Sequence, residues 1–299
     1  MNGKQNNLIH WFPGHMTKSL RLIQESLSIV DIVLYVLDAR APISCLNPSF
    51  DEIIGAKPII FVLNKADLVP NGSLTPFKTK LGQISKSPVV SLNAGASKAT
   101  DFIQPIVDEL AKKKMARYKA KGIKASIRGI VIGVPNSGKS TLINNFCAKA
   151  KTVTGNKPGV TKGKQWVRVN EYFELLDTPG TLYPKLTDQT AARRLAYIGS
   201  IKDAVIDTTE LAGALLTDLT NLAPDALKDR YNMDLEYVLN NNEEFSMDYK
   251  TSVEKGLEYI AKARGLLQKG GVPDLEKAAV ALIDDFRKGR LGKIILDTF

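Results

Sequence analysis

Cysteine, histidine and tryptophan are nearly absent from this chain, with two of each in 299 residues. Cys45 and Cys147 cannot build a disulfide framework, and with only His10 and His15 beside them they do not make a Cys/His zinc site. Both read as core or loop thiols. Long hydrophobic runs are missing too. The apolar stretch Ile29 to Leu37 is broken by Asp31 and falls short of the roughly twenty residues a bilayer span needs. The opening residues Met1 to Asn7 are polar and hold no signal-peptide core, and no lipidation signal is present. The expected location is therefore the cytosol, with no membrane span. Negative charge is in deficit: 41 Lys and Arg against 31 Asp and Glu leave a net +10. That excess favours a polyanionic partner. RNA is placed ahead of a membrane because no long basic amphipathic helix with an aromatic apolar face stands out.

What is present is a phosphate loop in its required setting. Gly133-Val134-Pro135-Asn136-Ser137-Gly138-Lys139-Ser140 follows the apolar run Ile127 to Ile132 and opens a helical pattern at Thr141. Glycine lets the backbone turn tightly and approach phosphate, and the inward N–H groups make an anion nest reinforced by the helix N-terminus. Lys139 reaches the β- and γ-phosphates, and the Ser140 hydroxyl is a candidate Mg²⁺ ligand.

Upstream, a helix is expected from Lys18 to Ile29 and a strand from Asp31 to Leu37 that ends in Asp38-Ala39-Arg40. The unalternating strand suits a sheet covered on both faces. After a short helix near Pro48 to Ile54, the strand Pro58 to Leu63 delivers Asn64-Lys65-Ala66-Asp67 at its C-terminal end, where open α/β sheets bind ligands. A carboxylate there accepts from the N1–H and N2–H₂ donors of guanine, a pair adenine lacks, so Asp67 is the expected guanine selector. Asn64 bonds either the opposite base edge or the neighbouring loop, and the Lys65 stem covers the base. The strand Pro88 to Leu92 places Ser91, Leu92 and Asn93 in a further base-contacting loop. A helix then starts at Asp101, with Phe102, Ile103, Ile106, Val107 and Leu110 on its apolar side. It runs into Lys112 to Lys124, the densest positive stretch, which reads either as a solvated helix end or as phosphate contacts.

Beyond the phosphate loop, Gln165 to Val169 and Phe173 to Leu176 read as a hairpin that ends in Asp177-Thr178-Pro179-Gly180. Asp177 holds Mg²⁺ through water, and the Gly180 N–H senses the γ-phosphate. Past Pro184 the β pattern stops. Helical spacing is expected at 188–206, 208–222, 252–268 and 274–288, with Pro224 and Gly270 to Pro273 as punctuation. The basic tail Arg287 to Lys293 is either a second patch or a solvated end. The expected fold is α/β: a P-loop GTPase domain over 1–185, mostly parallel sheet with flanking helices, then a smaller all-helical domain over 186–299.

Most GTPases carry the phosphate loop first and Asn-Lys-x-Asp later. Here the order is reversed, which is a circular permutation that leaves the spatial site intact. The motifs Trp11 to Met16, Asp38 to Arg40, Asn64 to Asp67, Gly133 to Thr141, Pro158 to Thr161 and Asp177 to Gly180 resemble the circularly permuted GTPases of the RbgA/YlqF type, which assist assembly of the large ribosomal subunit. That resemblance implies a GTP/GDP-binding factor that recognises a late precursor of the large subunit, rRNA and ribosomal proteins together, and leaves after hydrolysis. It implies that His15 helps the attacking water, that Thr161 joins Ser140 and Asp177 on Mg²⁺, and that Asn136 is a K⁺ ligand. Thr181 stands where Ras-type enzymes have glutamine, so it either contacts water or fills space. The chain is expected as a monomer. Two other readings remain: a GTP-gated placeholder on RNA in which hydrolysis is incidental, and a P-loop kinase, against which Asp67 argues.

Overall fold

The computed structural model describes residues 14–124, 126–147, 165–182, 188–235, 238 and 249–298, without the side chains of 15, 165, 249 and 250. The first helix, α1 (Gly14–Leu27), turns Ile23 and Leu27 into the core. Six strands follow, interleaved with helices: β1 (Ile32–Asp38), α2 (Ser49–Ile54), β2 (Ile59–Asn64), α3 (Thr75–Gln83), β3 (Val89–Leu92), α4 (Ala99–Ala120), β4 (Ile127–Ile132), α5 (Lys139–Cys147) and the hairpin β5 (Gln165–Arg168) and β6 (Phe173–Asp177). They form one sheet in the order β3-β2-β1-β4-β6-β5, parallel throughout except for β5, which runs antiparallel to β6 at the edge.

The unbroken hydrophobicity of β1 has the expected cause. Val33, Tyr35 and Leu37 enter one hydrophobic cluster while Ile32, Leu34 and Val36 enter another on the opposite face, so every residue of the strand is buried. The strand order reverses between β1 and β4. The C-terminal ends of those two strands therefore bound the crevice where a doubly wound sheet takes its ligand.

Five α-helices follow the hairpin among the described residues: α6 (Gln189–Tyr197), α7 (Thr208–Leu222), α8 (Pro224–Tyr231), α9 (Tyr249–Ala263) and α10 (Leu275–Arg287). Asp188, Asp207 and Asp274 cap α6, α7 and α10 by accepting backbone N–H groups in their first turns. The helices share a cluster with one face of the sheet, continuous from Val33 to Leu296. Among the described residues no helix is long and apolar enough to cross a membrane.

Three expectations need correction. The helix expected over 188–206 stops at Tyr197, because Gly199 (φ 78°) closes it: the Gly199 and Ser200 N–H groups bond back to the Ala196 and Leu195 carbonyls. Pro224 separates two helices as expected, but it also begins one over Pro224–Tyr231 that the spacing did not suggest, since the first helical turn has no use for its missing N–H. On α4, which starts at Ala99, the buried stripe is Ala99, Ile103, Val107 and Ala111, and Phe102 falls off it at 48% exposure.

The tail is not a free basic patch. Arg287 pairs with Asp203 and donates to the Tyr197 and Ala196 carbonyls, Lys288 pairs with Asp284, and Arg290 pairs with Asp284 and Asp285. The chain then returns to the sheet: Ile294 N donates to Leu68 O (3.0 Å) and Leu296 N to Arg40 O (2.7 Å). Asp297 accepts from Ile43 N, Ser44 N, Ser44 Oγ and the Arg194 guanidinium.

Candidate nucleotide site

The turn after β4 folds over the strand ends with Lys139 at the start of α5. Gly138 has φ 94°, and a Cβ there would collide with the Asn64 side-chain nitrogen. Lys139 is buried, and its Nζ donates to the Gly133 (3.1 Å) and Val134 (2.8 Å) carbonyls. Burial lowers its pKa to about 8, against the opposing pull of Asp177. Burial likewise raises the Asp177 carboxyl, which the Lys139 charge resists. Asp177 Oδ1 is buried without a hydrogen-bond partner.

The segment after β6 lies on this turn. A Cβ on Gly180 would stand 2.6 Å from Pro135 N and Cα and 3.0 Å from Lys139 Nζ, so only glycine allows this approach. Thr181 N donates to Gly133 O (3.1 Å). The Thr181 side chain is fully buried, so it fills space under the loop. Ser140, Thr141 and Asn136 are exposed, while Ser137 is buried.

Asn64 resolves the choice left by the sequence in favour of the neighbouring loop. Buried at the end of β2, it donates from Nδ2 to Ser137 O (2.8 Å) and accepts at Oδ1 from Ala94 N (2.9 Å). It thus ties the phosphate loop to the loop after β3. Lys65 sits in the left-handed region (φ 60°) and reaches both Asn136 O and Asp38 Oδ2, each at 2.8 Å. Asp67 is exposed in the short turn that follows. Ser91 is half-buried and the Leu92 side chain is in the core, so Leu92 can offer only backbone. Asn93 Oδ1 accepts from Gly95 N (2.8 Å), shaping that loop.

Several contributors carry no local sequence signal. Asn145 of α5 donates to the Ala94 and Ser97 carbonyls and accepts from Ala99 N, clamping the loop after β3. Asp38 is buried; burial raises its carboxyl, but Arg40 and Lys65 outweigh that and hold it below the usual range. Arg40 also donates to the Phe286 and Arg287 carbonyls at the end of α10. From the other side, Asn136 Nδ2 donates to Gly199 O (2.6 Å) and Ser200 Oγ to Pro135 O (2.8 Å). The turn after α6 is therefore bonded directly to the phosphate loop. Only spatial neighbours reveal Asn145, Gly199 and Ser200, whereas Asp38, Arg40, Pro135 and Asn136 already stand in the sequence motifs.

Beside the loop lies a cavity of about 440 Å³, walled by Met16, Pro135, Asn136, Gly180, Gly199 and Lys202 among others. Met16 follows His15, whose backbone is in the first turn of α1 and whose side chain lies outside the described residues. Thr161 also lies outside them, with the whole Pro158 to Thr161 motif, as do Trp11 and Phe12.

A family model described as "50S ribosome-binding GTPase" matches residues 128–241. The chain is 38% identical over 296 residues to Ribosome biogenesis GTPase A of Bacillus cereus, covering 97% of this chain and 94% of that one. It is 33% identical to Mitochondrial ribosome-associated GTPase 1 of Mus musculus, covering 98% and 91%. The crystal structure of GNP-bound YlqF from T. maritima superposes with a TM-score of 0.59 at 25% identity, covering 94% of this chain and 97% of that one.

Proposed function

The chain belongs to the ribosome biogenesis GTPase A family, and from that premise we propose that it assembles the large ribosomal subunit by binding a late precursor, hydrolysing GTP on it and then leaving. In this reading residues 1–185 carry the nucleotide and residues 186–299 carry much of the grip on the particle. The observation that supports it most directly is the joining of Asn64, Lys139 and Gly180 around one phosphate loop, although they come from separate parts of a permuted order.

GTP enters with its base toward Asp67 and the loop of Ser91, Leu92 and Asn93. Its phosphates meet the N–H groups of Pro135 to Thr141 that face inward, except Pro135, which has none. Lys139 moves its ammonium from the Gly133 and Val134 carbonyls toward the β- and γ-phosphates, where its charge opposes the charge developing on the transferred group. The Gly180 N–H lies on the γ-phosphate side. His15, in the turn that precedes the cavity wall at Met16, orients the attacking water.

The hydroxyl of Ser140 and the orphaned carboxylate oxygen of Asp177 are hard oxygen donors of the kind Mg²⁺ prefers. With Thr161 they would hold that ion, which supplies further charge neutralisation at the phosphates. Asn136 has its amide nitrogen on Gly199 O, which leaves Oδ1 to face a K⁺ ion.

The test is GTP turnover in K⁺ buffer with and without purified large subunits, for the native chain and for His15→Ala. The expected result is stimulation of about 10³-fold or more, lost in the alanine variant. Absence of stimulation in the native chain supports a placeholder in which hydrolysis is incidental, or a different partner, whereas stimulation that survives the substitution keeps the ribosome and removes His15 from the mechanism.

A further inference from the structure

The sequence holds two basic stretches, and the structure treats them oppositely. In the tail, Arg287, Lys288 and Arg290 are consumed by Asp203, Asp284 and Asp285. Exposed cations on other helices also have carboxylates one turn away: Arg21 with Glu25 on α1, Lys262 with Glu258 on α9. Such interspersed pairs are what a merely solvated helix face carries.

The second half of α4 departs from that pattern. Its fully buried stripe ends at Ala111, and beyond it Met115 still packs half-buried on the core while most of residues 112–120 face out. After Glu109, which pairs with Lys112, no acidic residue occurs in the helix. Lys114 folds back onto Asp31 and over the Tyr118 ring. Lys113, Arg117, Lys119, Lys121 and Lys124 make no ion pair among the described residues, and all are exposed. Lys113 and Arg117, like Arg117 and Lys121, stand four residues apart, where like charges repel. The helix C-terminus offsets part of that repulsion for Arg117 and Lys119, which lie in its last turn, but no carboxylate does among the described residues.

Position adds a second constraint. The start of α4 is held beside the nucleotide loops by Asn145. Its second half is tied to the opposite end of the central strands, where Lys114 bonds the Ser126 carbonyl and Asp31 just before β4 and β1. Twenty-two helical residues separate the two ends by about 33 Å. Cations there cannot touch the nucleotide or the loops around its γ-phosphate.

We propose that the face of Lys113, Arg117, Lys119 and Lys121 is an RNA phosphate-backbone anchor whose strength does not depend on the bound nucleotide. RNA fits better than a lipid surface, because Met115 and Tyr118 are half-buried against the protein and the single exposed Ile123 is too little apolar surface to enter a bilayer. The proposal rests on the reading that the partner is a precursor of the large subunit, and it divides the grip in two. One contact is electrostatic, distant and constant, and the other lies near the phosphate loop and changes with nucleotide.

The test compares the full chain with Lys113→Glu/Arg117→Glu, measuring binding to purified large subunits and to an RNA hairpin across a salt series, with a GTP analogue and with GDP. The double variant is expected to keep intrinsic GTP turnover and its melting temperature, because both side chains are exposed, make no ion pair among the described residues and lie far from the nucleotide loops. Its affinity should fall by the same factor in both nucleotide states. The slope of log affinity against log salt should become shallower by about 2.

An unchanged slope with subunit binding intact overturns the anchor and leaves the assembly reading standing. A loss confined to the GTP state also overturns it. Binding that responds to phosphatidylglycerol vesicles and not to RNA overturns it in favour of a membrane. If the native chain ignores subunits yet the double variant makes the slope on the hairpin shallower by the same amount, the anchor holds and the assembly reading fails.

Discussion

Lys139 shows how much one buried cation can control. With its pKa lowered to about 8 by burial, it is partly neutral in the free protein at mildly alkaline pH. Bound phosphates favour its charged form, so the complex keeps the proton to higher pH than the free protein does. Nucleotide affinity is expected to be flat below about pH 8 as far as this group is concerned. Above it, affinity should fall by about tenfold per pH unit. Titration with a fluorescent GDP analogue up to about pH 9 checks this, and an unchanged affinity across that range would contradict it. The sign for folding is the reverse. The unfolded chain holds this proton up to the ordinary 10.5, so between about 8 and 10.5 it binds more protons than the native state, and the Lys139 contribution to stability rises with pH. Lys139 was legible because phosphate chemistry demands a lysine at that spacing. Asn145 and Ser200 were not, because each acts by a bond to a backbone group distant in sequence, and an isolated Asn or Ser carries no periodic signal.

At the level of elements, the phosphate loop is a fixed shape that one glycine maintains. Gly138→Ala places a side chain on Asn64 at φ 94°. The backbone strain alone is about 1–2 kcal/mol, and the collision adds to it by displacing the bridge to Ser137. Gly55, with φ 60° and open space around it, provides the comparison. Its alanine variant should lower the melting temperature by strain alone and leave nucleotide binding intact, whereas Gly138→Ala should lower both. Equal behaviour of the two in thermal melts and nucleotide titrations would refute the collision. The strands of the sheet were readable because burial on both faces makes them continuous apolar runs. Helix ends after Pro184 were less so. The closing role of Gly199 depends on a left-handed φ, and Pro224 breaks or begins a helix according to which side of it the chain coils.

Over the whole molecule, the expected boundary at 185/186 separates a sheet from helices, but the cluster running from Val33 to Leu296 crosses it. The final residues lie along the loops after β1 and β2. Asp297, 1% exposed in its side chain, receives four donors from Ile43, Ser44 and Arg194. Asp297→Ala leaves those donors buried without an acceptor and should cost about 3–5 kcal/mol, read as the denaturation midpoint with the denaturant slope unchanged. A loss below about 1 kcal/mol would mean that water replaces the carboxylate and that the return of the chain is loose. This long-range contact could not be read from the sequence, where Asp297 is one acidic residue among 31.

The bonds from Gly199 and Ser200 to Pro135 and Asn136 bind nucleotide and partner to a common account of free energy. Under the proposed function, whatever factor GTP adds to the grip of the helices on the ribosomal particle, the particle must return as the same factor in affinity for GTP, since the coupling between two binding sites is reciprocal. A particle that completes its assembly and loosens the helices thereby loosens GTP relative to GDP, with no signal sent beyond a shared equilibrium.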